Sequence, residues 1–307
     1  MIVLDESAIL ARHDPRRLIE AVAEAFLGGL TAPPRGHHAL GETDADGTLL
    51  VMPAWRAGGD VGVKIVTVLP RNAARGRPTV DGVYVLLNDD GSLRALIEAR
   101  TLTLIRTAAV SALAASRLAS PQAETLLMVG AGALAPHLVR AHRAVRDYRR
   151  VRLWARRPEQ AAALAKMLGD EGVPAEIATD LDAAQAEADV ISCATLAREP
   201  LIHGRRLKAG AHLDLVGGYT PQMREADDEA IRRARVVVDS LKALDEAGDL
   251  AIPVASGVLD PERVTDLPSL LAGRAPPPGE AEITLFKSVG TATADFAAAE
   301  ALMNTGA

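Results

Sequence analysis

Aromatic residues make up only 3% of this 307-residue chain, so its core must be built from aliphatic side chains and alanine. Cysteine occurs once, at Cys193. A single thiol cannot form an internal disulfide framework, and it fits a reducing compartment. There is no long basic run and the net charge is −6, which leaves a nucleic-acid partner without electrostatic support. No uncharged apolar stretch approaches the roughly 20 residues of a membrane helix. The opening MIVLDESAIL lacks the charged start and long apolar core of a secretory signal. A soluble, cytoplasmic protein is expected. What remains is an ordinary globular composition, 49% hydrophobic and 24% charged, which excludes a disordered chain. The length allows two domains.

The segment DPRRLIEAVAEAFLGGL (14–30) predicts a helix. Asp14 is placed to cap it, Pro15 suits its first turn, Leu18, Ile19, Val22 and Phe26 share a face, and Gly28 and Gly29 end it. Strand-like runs follow in TLLVMPAW, VGVKIVTVL, GVYVLLN and LRALIEA, the last two joined by the turn NDDG (88–91). TLTLIRTAAVSALAASRLA (101–119) then reads as a helix, so residues 1–120 form a mostly antiparallel α+β unit. From Pro121 onward strands alternate with helices: TLLMVG, VRLWA, DVISCA, HLDLVGG and ARVVVDS are the strands. That alternation predicts parallel β-α-β units. GRAPPPGEAE (273–282) reads as a linker, and the helix after it is expected to return to the first domain.

LLMVGAGALAPHL places Gly130-x-Gly132-x-x-Ala135 directly after a strand and at the opening of a helix. The first glycine permits a tight turn and the second lets a pyrophosphate approach the backbone. The small third residue allows close helix–strand packing, with the phosphates at the positive helix end. Binding of a dinucleotide ribose would place an acid at the end of the second strand. VRLWARRP instead has Ala155, Arg156 and Arg157 there, and no acid before Glu159. Two guanidiniums suit a 2′-phosphate, so NADP(H) is preferred and NAD(H) remains possible. The alternative is a pair of solvated surface arginines.

Other charges sit where a core should be. Lys64 lies in VGVKIVTVL, a strand apolar on both faces, and Arg106 among Leu102, Leu104 and Ile105 on a helix. With Arg35 in APPRGHH they make three candidate partners for a substrate carboxylate. An internal salt bridge for Lys64, and surface positions for Arg106 and Arg35, are the competing readings. His37 and His38 are adjacent and have no metal-ligand spacing around them. No Gly-x-Ser-x-Gly elbow is present, and Cys193 reads as a small buried thiol.

Several of these segments together resemble the ornithine cyclodeaminase/mu-crystallin family: VGVKIVTVLPRN, LTLIRTAAVSALAA, MVGAGALAPHL, ADVISCAT, VGGYTPQMREAD and LFKSVGTATADFAAAE. The likeness runs in order along nearly the whole chain. It implies an α/β fold with a Rossmann-type dinucleotide-binding domain (121–284). Beside it would lie a discontinuous α+β domain for substrate binding and dimerisation (1–120 with 285–307), in a homodimer. By position, the family's substrate-carboxylate residues fall on Arg35, Lys64 and Arg106. Its cofactor contacts fall on Thr107, on Gly130, Ala131, Gly132, Ala133 and Leu134, on Ala155, Arg156 and Arg157, on Thr195, and on Val216 and Gly217. The pair Gly217 and Gly218 is then expected to face the nicotinamide end.

Ornithine cyclodeaminases carry an aspartate after the two glycines, where this chain has Tyr219. A phenol of pKa near 10 is a poor base at neutral pH, and it offers no charge to a substrate amine. TVDG also departs from the family's frequent His-Gln-Gly. The resemblance therefore implies NADPH-dependent reduction of a small cyclic ketimine carboxylate to proline or pipecolate, with Lys64 as the catalytic residue. The alternatives are an alanine-dehydrogenase-like oxidoreductase, an ornithine cyclodeaminase, and a non-catalytic NADPH-binding protein of the mu-crystallin kind.

Overall fold

Two-residue alternation in the first hundred residues builds a six-stranded sheet from β1 (Ile2–Leu4), β2 (Gly36–Ala39), β3 (Thr48–Trp55), β4 (Val61–Val68), β5 (Val80–Leu87) and β6 (Leu93–Glu98). Their order is β1-β6-β5-β4-β3-β2. Strands β2 to β6 are antiparallel to their neighbours, and β1 joins β6 in parallel. The short β1 and β2 add to the strands legible in the sequence, because three or four residues carry no period. Helices α1 (Glu6–Arg12) and α2 (Pro15–Leu27) follow β1. Asp14 caps α2 by accepting from the Arg16 amide at 2.8 Å, and Leu18, Ile19 and Val22 are buried. Helix α3 (Ala99–Leu118) leaves β6.

The chain then becomes parallel. Strands β7 (Thr125–Val129), β8 (Arg150–Trp154) and β9 (Glu176–Ile177) alternate with α4 (Ala135–Val145) and α5 (Pro158–Asp170). After α6 (Leu181–Glu187) come β10 (Val190–Cys193), β11 (His212–Leu215), α7 (Asp228–Arg233) and β12 (Ala234–Val238). Two short helices, α8 (Ala243–Glu246) and α9 (Gly248–Ala255), precede β13 (Thr265–Asp266), α10 (Leu267–Leu271) and β14 (Ile283–Lys287). The eight strands lie in the order β13-β12-β14-β11-β10-β7-β8-β9, every pairing parallel. Each residue of β7, β10, β11 and β14 is buried; β7 and β10 accordingly show no charged residue and no polar–apolar alternation, while β11 buries His212 and Asp214 and β14 buries Lys287. Strand order reverses between β7 and β10, so the switch point of the sheet falls at their carboxyl ends.

The last helix, α11 (Ala292–Met303), packs on α2 and across β3 and β4. This computed structural model describes residues 1–43 and 46–304. Two units separate within it, Met1–Arg106 with the segment from Thr291 onward, and Thr107–Gly290. These boundaries differ from 120 and 285 for physical reasons. Helix α3 runs unbroken through residue 106, so nothing local marks the first boundary. At the second, β14 inserts between β11 and β12, which keeps residues 285–290 with the parallel sheet. The end of the expected 285–307 range, residues 305–307, lies outside the described residues. Among those described, no helix is long and apolar enough to cross a membrane.

Candidate active site

In the first unit, Lys64 points from β4 to the buried face and is only 3% exposed. Its neighbours in register are Met52 on β3 and Tyr84 on β5. The Lys64 ammonium donates to Asp295 Oδ1 at 2.8 Å and lies 3.4 Å from Thr103 Oγ1. Arg106 Nε donates to the same Asp295 oxygen at 2.8 Å. Arg106 is itself buried, not a surface arginine. Burial lowers the Lys64 pKa to about 8, with Asp295 resisting and the charges of Arg106 and Arg35 adding to the fall. Burial works against the Asp295 carboxylate as well, but Lys64 and Arg106 hold it below its ordinary value. Half-buried Arg35, just before β2, is thus within electrostatic reach of Lys64. One buried carboxylate is shared by two buried cations, Lys64 and Arg106, an excess of positive charge that suits an anionic ligand.

Asp295 escaped the sequence reading. The signal was available: helix α11 buries Ala294, Phe296, Ala297, Ala298 and Ala299 around it, and an acid so placed needs a partner. Tyr84 closes the same neighbourhood. It is fully buried, its hydroxyl has no hydrogen-bond partner, and burial raises its pKa.

In the second unit, the turn after β7 has the properties a dinucleotide needs. Gly130 has φ +107°, and a Cβ there would stand 2.6 Å from the Ala194 carbonyl oxygen. A Cβ on Gly132 would meet nothing within 4 Å, so that side of the backbone is open to a ligand. No side chain caps the start of α4, which leaves its amino end to an anion. A cavity of about 630 Å³ opens here. Its walls are Gly130, Ala131 and Gly132, the strand-end segment Trp154–Arg157, and Ala194–Glu199 after β10. Arg156 and Arg157 are exposed on the rim. Ala133 and Leu134 lead into α4, Thr107 is buried on α3, and Val216 is buried after β11. Neither these nor Gly217 line the cavity.

What approaches Gly217 is protein. A Cβ there would lie 2.0 Å from the Thr195 carbonyl oxygen and 2.2 Å from its nitrogen. Glu225, fully buried, accepts from the Thr195 amide (2.7 Å) and hydroxyl (2.9 Å), and from the amides of Gly217 (2.8 Å) and Gly218 (3.2 Å). Burial and the neighbouring Asp249 raise the Glu225 pKa against the pull of Lys287. Lys287 ends raised despite burial, because it faces Asp249 and Glu225. Cys193 is buried, and its thiol is pushed well up by burial and by Glu225, so it stays protonated. Asp214 is equally enclosed, accepting from Ser192 Oγ at 2.7 Å beside His142 Nε2 at 3.2 Å. Tyr219 is 41% exposed, and partial burial raises its pKa further. Within this network Thr195 and Gly217 are among the cofactor contacts expected from the sequence, whereas Glu225, Asp249 and Lys287 were not singled out there.

A parallel sheet with a glycine turn at its switch point defines a Rossmann-type nucleotide-binding fold, here carried by a chain whose other unit buries a cation cluster. The chain belongs to the ornithine cyclodeaminase/mu-crystallin family, whose model matches residues 6–305. It is 44% identical over 257 residues to a Delta(1)-pyrroline-2-carboxylate reductase of Paracoccus denitrificans, covering 81% of each chain. Among solved structures it is similar to the Delta(1)-pyrroline-2-carboxylate reductase of Thermococcus litoralis in complex with NADH and L-proline. That likeness has a TM-score of 0.92 at 30% identity, over 99% of this chain and 97% of the other. An archaeal alanine dehydrogenase dimer with bound NAD matches with a TM-score of 0.90 at 28% identity, over 99% and 95% of the two chains.

Proposed function

We propose that this chain is an oxidoreductase that reduces a small cyclic ketimine carboxylate, of the Δ1-pyrroline-2-carboxylate or Δ1-piperideine-2-carboxylate type, to L-proline or L-pipecolate. The observation that carries this reading is the buried set of Lys64, Arg106 and Asp295 with Arg35 beside it. Its excess of positive charge suits a carboxylate, and the reductases named above support the choice of substrate class. Arg35 and Arg106 hold that carboxylate. Lys64, with a pKa of about 8, is mostly protonated at neutral pH. It orients the substrate and keeps the imine nitrogen protonated, so that the C=N bond is polarised for attack at carbon.

A nicotinamide nucleotide supplies the hydride when bound. The open Gly132 and the uncapped α4 fit its phosphates, with Gly130–Leu134 holding the pyrophosphate. Ala155, Arg156 and Arg157 take the adenosine ribose, while Thr107, Thr195, Val216 and Gly217 shape the rest. The preference for NADPH over NADH rests on the two rim arginines and on the lack of an acid at the end of β8. The two solved relatives named above hold NADH and NAD, and comparison of NADPH with NADH tests the 2′-phosphate directly. A homodimer and a cytoplasmic location complete the proposal. Exposed Ile65 lies on the β4 face opposite Lys64, and the single thiol suits a reducing compartment.

Tyr219 speaks against cyclodeamination, because a phenol of raised pKa is neither base nor anion at neutral pH. The likeness to an alanine dehydrogenase keeps reductive amination of an acyclic 2-oxo acid as the second reading. The deciding assay follows NADPH and NADH oxidation with Δ1-pyrroline-2-carboxylate, with pyruvate plus ammonia, and with L-ornithine plus NAD as control. Ketimine-dependent oxidation is the expected result. Strict dependence on ammonia moves the assignment to the second reading, and proline formed from ornithine overturns the role given to Tyr219.

A further inference from the structure

Strands β10 and β11 are paired in parallel as far as Cys193 and Leu215, and the amide of Val216 adds one more rung to the Cys193 carbonyl. Beyond that point a ladder of this kind ordinarily ends and the two connections separate. Here the Glu225 carboxylate takes over. Oε1 serves the end of β10, through the Thr195 amide and hydroxyl, and Oε2 serves the end of β11, through the amides of Gly217 and Gly218. The two backbones are pressed so close that only glycine fits at 217.

Glu225 is itself fixed. Asp249 Oδ1 accepts from the amides of Glu225 (2.7 Å) and Ala226 (3.1 Å), and Asp249 Oδ2 accepts from Lys287 Nζ at 2.9 Å. All three charged residues are fully buried. Buried ion networks of this kind are weak contributors to stability compared with apolar packing, so their use here points to shape. Thr195 lines the cavity beside Gly130, while Glu225 does not.

We propose that Glu225 is a positioning residue of the dinucleotide site: it ties the connection after β10, which lines the cavity, to the connection after β11, which does not, and the anchored β10 connection fixes where the nicotinamide half of the cofactor lies. This rests on the nucleotide-dependent activity proposed above. Asp249 pins the Glu225 backbone, and Lys287 Nζ faces the carboxylate 3.9 Å from Oε2, while the amides at the two strand ends set which oxygen faces each. The Trp154–Arg157 rim, to which the adenosine half is assigned above, makes no hydrogen bond with this network among the described residues.

Two variants test the assignment. Glu225→Gln presents an amide nitrogen to one of the two strand ends and can accept from only the other. Glu225→Asp keeps the charge but is one methylene too short to reach both. Each is measured three ways: amide hydrogen exchange at residues 194–197 and 216–219, Kd for NADPH and NADH by fluorescence, and Kd for adenosine 2′,5′-bisphosphate and AMP. The expected result is exchange at least about tenfold faster in both segments, with the dinucleotides bound about tenfold or more weaker. The adenine-half fragments should stay within about twofold of wild type. Equal weakening of fragments and dinucleotides reduces Glu225 to a structural residue and overturns the proposal. So do unchanged dinucleotide affinity and unchanged exchange. Wild-type protein that binds no dinucleotide refutes the nucleotide-dependent reading, and the positioning role with it. The exchange measurement still reports separately whether the carboxylate ties the two segments together.

Discussion

Replacing Asp295 by asparagine keeps the shape of the side chain and removes the one charge that holds Lys64 protonated. Lys64 stands near pH 8 because burial and the cations Arg106 and Arg35 push it down while Asp295 pushes it up. At a charge separation of about 4 Å and an effective dielectric of about 20, the lost attraction is about 4 kcal/mol, or about three pKa units. Arg106 already shares the same carboxylate oxygen, so the expected fall is about one to three units. As a proton donor Lys64 is active below its pKa, so wild-type kcat/KM should decline as pH rises through about 8. In the variant that alkaline limb moves to lower pH by the same one to three units. At pH 7.5 the protonated fraction then drops by a factor of about three at the small end and about 250 at the large end. Stability should fall too, although by less than for an obligate ion pair, because Lys64 can shed its proton cheaply. The assay is kcat/KM for the ketimine from pH 5.5 to 9.5 under saturating nucleotide. A uniform loss of rate with the limb still at pH 8 would refute the reasoning, since it would mean that Lys64 is not the group observed or that Asp295 does not set it.

Three further outcomes are expected. Lys64→Ala should lower kcat by about 100-fold or more while Kd for the nucleotide stays within about threefold, and parallel losses in both would remove its assigned role. Arg156→Ala with Arg157→Ala should raise KM for NADPH by about 10- to 100-fold, from the loss of charge-assisted hydrogen bonds to a phosphate. KM for NADH should be unchanged, and an equal effect on both nucleotides would make the pair ordinary surface arginines. Gly217→Ala drives a methyl to within 2.2 Å of two Thr195 backbone atoms. It should cost about 3 kcal/mol or more, which is about 6–12 °C in Tm for a unit of this size, and an unchanged Tm would show that the strand ends yield easily.

Most of the fold was legible because its causes are local. Asp14 and Gly28 bracket α2, the turn after β7 announces itself by its glycines, and the buried strands β7 and β10 read as uncharged, mostly apolar runs. The unit boundaries were less so, because α3 passes through residue 106 without a break and β14 pairs with β11 and β12, not with β13, the strand that precedes it in the chain. The candidate site was half visible. A lysine in an apolar strand and an arginine on an apolar helix are anomalies that the sequence displays, but their carboxylate lies 231 residues from one and 189 from the other, beyond any local pattern. Glu225 was hidden in another way: its partners are mainly backbone amides, which every residue has. The sequence had posed an internal salt bridge for Lys64 as the rival of a ligand-facing role. The folded unit contains that salt bridge, to Asp295, but Arg106 shares the same carboxylate, so the pairing of Lys64 is compatible with the substrate-carboxylate role proposed for it.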